Sequence, residues 1–319
     1  MTTRFLYSAL CVFALTFACP SFAQQPSTST VWIMQDSQDS DQAIRDLFTH
    51  PDQWSNTRPS IDVYQFSSLK DVSDTQLKNW SGQLKAWNIK IAIQTGVFNA
   101  WAPSASKMIE AQMPSFMQLK NDGASVYAVT LDEPLNAARE EIKNGDDFAA
   151  QETASYISQL RKLFPGVLVG DTEPYPAIAA ADQIAWIARL NARLAAIGQP
   201  GLDYYRIDPN AMAIGVFASG SWKDLWQLES YCRGHKIVYS MIYWASSSAG
   251  MTKHGMSAGR AWYVGAICQA GELAVAGCRP DQYVIESKMS GARTLPETDP
   301  FSFMGVVNEI ATHFAKAAH

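Results

Sequence analysis

Cysteine and histidine are too few and too scattered to suggest metal chemistry. The chain holds five of each, with no CxxC, and His50, His235, His254, His313 and His319 form neither an HxH nor an HExxH pair. Those are the spacings by which zinc sites are read, so no metal and no other cofactor is implied. Charge is also scarce. Only 17% of residues are charged, and Lys+Arg 25 against Asp+Glu 30 leaves a net charge of −5, which offers a polyanion no positive field and argues against nucleic acid as a partner. The apolar run at 5–18 falls short of the roughly 20 residues that span a bilayer as a helix. No GxSxG is present, and Gln35-Asp36-Ser37-Gln38 stands where a dinucleotide-binding sheet would carry its glycine-rich turn, so both the serine-hydrolase elbow and the open doubly wound sheet lose support.

Apolar residues are plentiful. They form 47% of the 319 residues, enough for a large core and too many for a disordered chain. Arg4, the apolar run behind it and Ser21-Phe22-Ala23 have the layout of a secretory signal cleaved after Ala23. The sequence therefore predicts a signal peptide at 1–23, a polar leader at 24–30, and an exported protein, periplasmic or secreted, with no stable membrane insertion once the signal is removed. Cys11 and Cys19 fall in that signal, leaving Cys232, Cys268 and Cys278. In an oxidising compartment the short spacing makes Cys268–Cys278 the expected disulfide.

From residue 31 onward, short runs rich in Val, Ile and Tyr alternate with amphipathic stretches. Strands are predicted at 31–34, 61–66, 90–95, 126–131, 167–170, 203–207, 236–243 and 283–286, and helices at 75–87, 105–119, 147–164, 179–197, 222–233, 260–273 and 300–317. Eight strands with intervening helices predict one (β/α)₈ TIM barrel over 31–319.

Barrel chemistry gathers at the carboxyl ends of the strands. The residues just after the predicted strands are rich in acids: Asp36, Asp132, Glu133, Asp171, Glu173, Asp208 and Glu286. Aromatics accompany them at Trp101, Tyr175, Tyr204, Tyr205, Tyr243 and Trp244. Any single acid at such a place serves equally well as a helix cap, and most of the 10 Trp, 12 Tyr and 14 Phe belong to core packing. Together, however, carboxylates with separated proton affinities and flat apolar faces are what hydrolysis of a sugar linkage requires.

Val129-Thr130-Leu131-Asp132-Glu133-Pro134 resembles the Asn-Glu-Pro signature of the large clan of retaining glycoside hydrolases built on (β/α)₈ barrels. The resemblance implies that Glu133 is the acid/base and that Asp132 contacts ring hydroxyls. The pattern departs from the clan in two places: Asp132 replaces the Asn, and the seventh strand ends Ile242-Tyr243-Trp244-Ala245 without the clan's nucleophilic Glu. A second carboxylate must then come from Glu173, on the neighbouring strand, from Glu286, or from Asp208, in that order. The expected catalytic set is Glu133, Glu173 and Glu286, with Asp36, Trp101, Asp132, Tyr175, Tyr205, Asp208, Tyr243 and Trp244 contacting an oligo- or polysaccharide. Two alternatives stay open: a sugar-binding barrel without catalysis, and a barrel enzyme whose loop 246–255, with Lys253 and Arg260, holds an anionic or phosphorylated ligand.

Overall fold

Eight parallel strands close on themselves in chain order, so that the first pairs with both the second and the eighth. The computed structural model describes residues 29–35, 41–69, 72–215, 217–246, 248–287 and 292–316. The expected signal peptide, most of the leader and Asp36 lie outside the described residues. The strands are β1 Thr30–Gln35, β2 Val63–Phe66, β3 Lys90–Thr95, β4 Val126–Asp132, β5 Leu168–Tyr175, β6 Tyr204–Pro209, β7 Val238–Tyr243 and β8 Gln282–Glu286. Around them lie α1 Asp41–Thr49, α2 Asp74–Ala86, α3 Ala105–Asn121, α4 Pro134–Ala137, α5 Asp146–Leu163, α6 Ala180–Ala196, α7 Ala211–Gly215, α8 Trp222–Gly234, α9 Ser248–Lys253, α10 Ala258–Val275 and α11 Phe303–Ile310. This is the (β/α)₈ barrel that the pattern predicts, in a single domain.

Several helices begin where the sequence supplies a hydroxyl. Ser73 opens α2 with a capping box to Gln76, and Ser104, Ser221 and Ser302 each accept a backbone N–H from the first turn of α3, α8 and α11, satisfying donors that the helix itself leaves unpaired.

Strand parity sorts the core into two populations. Val31, Ile33, Tyr64, Phe66, Val129, Leu131, Val169, Tyr205, Ile207, Tyr239, Met241 and Tyr243 pack in the layer between barrel and helices, whereas Trp32, Met34, Val63, Ala92, Ala128, Tyr204, Ile242 and Val284 form a separate cluster inside the barrel. The middle of the interior is polar. Arg206, with no exposed surface, donates from Nε to Ser240 Oγ (3.0 Å) and from Nη1 to Gln65 Oε1 (2.7 Å) and Thr130 Oγ1 (3.2 Å). Thr130 in turn donates to Gln65 Oε1 (2.9 Å), and Gln65 Nε2 donates to Gln94 Oε1 (2.9 Å).

The amino-terminal rim is bracketed by acids. Asp62, Asp203 and Asp281 each accept the N–H of a residue on the preceding strand, Val31 (2.8 Å), Val169 (2.8 Å) and Tyr239 (2.9 Å) respectively. Each Asp returns its own N–H to that same residue's carbonyl.

The expected Cys268–Cys278 disulfide is corrected. Both are free thiols, because Cys268 lies exposed on α10 while Cys278 is buried beyond the end of that helix, against the carbonyl of Trp222. Burial pushes the Cys278 and Cys232 thiols up to about 12, so neither is a ready nucleophile. Native-state alkylation with iodoacetamide should label Cys268 and spare Cys232 and Cys278 until the chain unfolds, as read by peptide mapping.

A second expectation concerns the barrel interior. A Cβ at Gly170, on the inward face of β5, would overlap the Tyr204 ring. Gly170→Ala should therefore destabilise the fold by about 1–3 kcal/mol through overpacking, measured by urea denaturation; a loss under half a kcal/mol would refute this account.

Candidate functional site

At the carboxyl end of β4 the chain turns straight from strand into helix, and Glu133 makes the turn. Its backbone is left-handed (φ 49°, ψ 48°), its N–H donates to Thr172 O (2.9 Å), and Pro134 starts α4 immediately after. A non-glycine residue held in this region costs on the order of 1–3 kcal/mol, and such strain gathers at functional sites. Asn88 and Lys236 share the conformation, but they follow the ends of α2 and α8, where it commonly terminates a helix. Ala245, just past β7, has it too (φ 55°). Two left-handed residues thus stand at strand ends around the mouth.

The Glu133 carboxylate is half-buried and accepts from Asn136 Nδ2 (2.7 Å). Asn136 was not singled out from the sequence, although a polar side chain three residues on along a helix is a legible neighbour. Glu173 caps the amino-terminal end of the same short helix. Its two oxygens accept the N–H groups of Leu135 (2.6 Å) and Asn136 (3.1 Å), and it has no exposed surface. Its neighbour two residues back, Asp171, is equally buried and accepts from Trp186 Nε1 (2.6 Å) on α6. Both carboxyls are held well above the usual carboxylate range, by burial first, and for Glu173 next by the charge of Asp171. The charges of Asp132 and Glu133 act on Asp171 in the same direction.

Strand parity separates the predicted site residues. Glu173 and Asp171 alternate with Val169 on the outward face of β5, so Glu173 serves α4 as a cap rather than facing the open mouth. Tyr205 and Tyr243 share that outward orientation: Tyr205 donates to Gln183 on α6 (3.0 Å), and Tyr243 stacks on Tyr283 at 5.6 Å. Neither is placed to meet a substrate. Tyr175 is buried as well, its phenol accepting from Ser221 N–H (2.6 Å) and donating to Asp224 (2.8 Å).

Facing the mouth are Asp132, which is exposed, Asp208 and Trp244, both half-buried, and Glu286, which is 6% exposed. The Glu286 charge helps hold the proton on Arg206, whose pKa burial lowers to about 10. Trp101 stands 67% exposed in the loop after β3, and Phe217, which was not singled out, is equally exposed after β6. Between the ends of β5, β6 and β7 lies a cleft of about 360 Å³ lined in part by Pro174, Tyr175, Pro176, Asp208, Asn210 and Trp244. Lys253 and Arg260 are exposed and do not line it. Among the described residues there is no group of three or more His, Cys, Asp or Glu able to hold a metal ion, and no helix long and apolar enough to cross a membrane.

No protein-family model matches the chain, and comparison with curated proteins yields no match. Solved structures do match. A glucosidase from Croceicoccus marinus superposes with a TM-score of 0.53 at 10% identity, over 82% of this chain and 62% of that one. A mutant O-GlcNAc hydrolase from Thermobaculum terrenum gives 0.51 at 7% identity, over 92% and 61%. A D-psicose 3-epimerase from Clostridium cellulolyticum gives 0.48 at 12% identity, over 90% and 98%. The chain thus spans about three-fifths of the length of the first two. At these identities the likeness shows the barrel fold alone.

The raised carboxyls on β5 couple stability to pH. In the fold Asp171 and Glu173 keep protons that the unfolded chain has released, so their contribution is intact below about pH 4 and is lost as pH rises toward their folded values. Asp171→Asn should flatten the decline of melting temperature between pH 4 and neutrality, measured by calorimetry; an unchanged slope would count against a protonated Asp171.

Proposed function

We propose that the protein hydrolyses a glycosidic bond in an oligo- or polysaccharide, with Glu133 as general acid and Glu286 as the second carboxylate. The observation that carries this reading is the setting of Glu133. It is an acid at the end of β4, in strained backbone, half open to the mouth, with one oxygen held by Asn136. A group so placed is pre-oriented to protonate a leaving oxygen.

The choice of Glu286 over Glu173 follows from parity. Glu286 lies on the inward face of β8 above Val284, while the oxygens of Glu173 are occupied by backbone amides of α4. In an eight-stranded ring β8 stands opposite β4, the widest pairing available. Inverting hydrolases keep their carboxyls roughly 6.5–9.5 Å apart to admit a water, whereas retaining ones keep about 5–5.5 Å. That favours inversion, with Glu286 activating the water. Trp244 and Trp101 supply ring faces for the sugar, and Asp132 and Asp208 accept its hydroxyls.

Export to a compartment where polysaccharide is met belongs to the same proposal, resting on the apolar run behind Arg4. Mass spectrometry of the exported form should find Gln24 at its amino terminus.

The decisive assay is release of reducing ends from a polysaccharide panel by the purified protein. Glu133→Gln and Glu286→Gln should each lower turnover by about 10²–10⁴, with Glu133→Gln leaving the melting temperature within a few degrees and Glu286→Gln lowering it by withdrawing the charge that faces Arg206. Proton NMR of the first product should show the inverted anomer. A fully active Glu133→Gln variant would overturn the assignment, and activity on no member of the panel would overturn the hydrolase reading.

A further inference from the structure

The cleft over β5, β6 and β7 is more closely built than a surface irregularity. Trp244 Nε1 donates to Pro209 O (3.1 Å), which fixes the indole in orientation. Pro174 and Pro176 add C–H surface to the lining. Asn210, which lines the cleft, accepts the N–H of Ala213 on its Oδ1 (3.0 Å), which leaves its amide NH₂ as the side chain's donor group. Asp208 brings a carboxylate, and Ser219 a hydroxyl. The wall on the β6 side is held close by Gly220, in left-handed backbone at φ 82°, where any Cβ would run into the Tyr175 phenol and Pro176. With that phenol engaged by Ser221 and Asp224, Tyr175 acts as scaffold for the wall.

We infer that this cleft is a subsite for one uncharged pyranose ring of the substrate, adjoining the bond flanked by Glu133 and Glu286. Its place beside the scissile bond rests on the hydrolase reading; its ligand chemistry rests on the cleft itself. A pyranose offers an apolar C–H face to an aromatic ring and a rim of hydroxyls that both donate and accept. Trp244 meets the first requirement, and Asn210 with Asp208 the second. The volume lies at the low end of the roughly 300–1,000 Å³ of small-ligand sites, which suits one ring rather than a chain. Among the described residues neither Lys nor Arg lines the cleft, and the Asp208 carboxylate would repel a carboxylate or phosphate on the ligand. A neutral sugar is selected over a uronic acid or a sugar phosphate.

The test uses the full-length Glu133→Gln protein, so that turnover does not consume the ligand. Methyl β-glucopyranoside, methyl β-galactopyranoside, methyl β-mannopyranoside and glucuronate serve as probes, followed by saturation-transfer NMR and calorimetry. At least one neutral glycoside should bind saturably, and glucuronate at least about tenfold more weakly. Trp244→Ala should weaken the neutral probe on the order of fivefold, the loss expected for one ring contact. Gly220→Ala should weaken it too, although Gly220 itself has no side chain to offer the ligand. Should Trp244→Ala not fold, crystals soaked with the bound glycoside give the same answer, since the ring should lie on the Trp244 face. No binding by any neutral glycoside, equal binding of glucuronate, or a ring located elsewhere would overturn the inference. Binding at Trp244 without hydrolysis of any polysaccharide would leave the subsite standing and remove the catalytic reading; hydrolysis without a ring at Trp244 would do the reverse.

Discussion

Arg206 carries its charge into the middle of the barrel with no exposed surface, and taking such an ion out of water costs several kcal/mol even after relaxation. The interior is composed around that cost. Ser240, Gln65 and Thr130 accept its N–H groups, the rings of Trp32 and Tyr204 lie 4.9 and 5.4 Å from the guanidinium carbon, and Glu286 supplies an opposing charge from the mouth. The usual filling of a (β/α)₈ barrel is branched aliphatic. Here Val63, Ile242 and Val284 keep part of that filling, and Arg206, Gln65, Thr130, Gln94 and Ser240 form a polar layer beneath the carboxylates of the mouth. This hydrogen-bonded layer floors the mouth, although Arg206 Nη2 has no partner among the described residues.

Above that floor, one carboxylate organises another without touching it. Glu173 binds the first amides of α4, Asn136 on that helix binds Glu133, and Glu133 returns its own amide to Thr172. The result is a closed circuit between the ends of β4 and β5. It accounts for the strained backbone at Glu133: the turn is held from both strands, so the left-handed residue has no neighbouring conformation to relax into without breaking these bonds. Two acids that look equivalent in the sequence therefore differ in kind, one sealed into the scaffold and one presented at the opening.

The barrel was legible because its signal is repetitive. Eight apolar runs spaced by amphipathic segments leave few architectures, and the predicted β3 at 90–95 coincides with the observed strand. The fifth strand shows where such reading stops. It was expected to end at Gly170, because Asp171, Thr172, Glu173 and Pro174 look like a turn, yet it runs on to Tyr175. Tertiary partners, Trp186 for Asp171 and the α4 amides for Glu173, make buried acids tolerable in a strand. The placement of Tyr205 and Tyr243 has a different cause: they lie within or at the end of β6 and β7, where alternation with the inward Tyr204 and Ile242 turns them into the layer under the helices. Helix α1 at Asp41–Thr49 went unnoticed, and the close spacing of Cys268 and Cys278 suggested a pairing that the geometry of α10 does not make.

The acid brackets on the lower rim have a further consequence for registration. Asp62, Asp203 and Asp281 each tie a strand's entry to a residue of the strand before it through a reciprocal pair of bonds. A slip of one residue would turn every inward side chain outward, driving Arg206 into the helical layer. A slip of two would preserve that alternation, and alternation alone would not forbid it; the brackets do, because the carboxylate would then reach past its amide. Shear in this barrel is thus pinned from below at three of its eight seams, β1–β2, β5–β6 and β7–β8. The alignment of Asp132, Asp208 and Glu286 around the opening is inherited from contacts at the opposite end of the molecule.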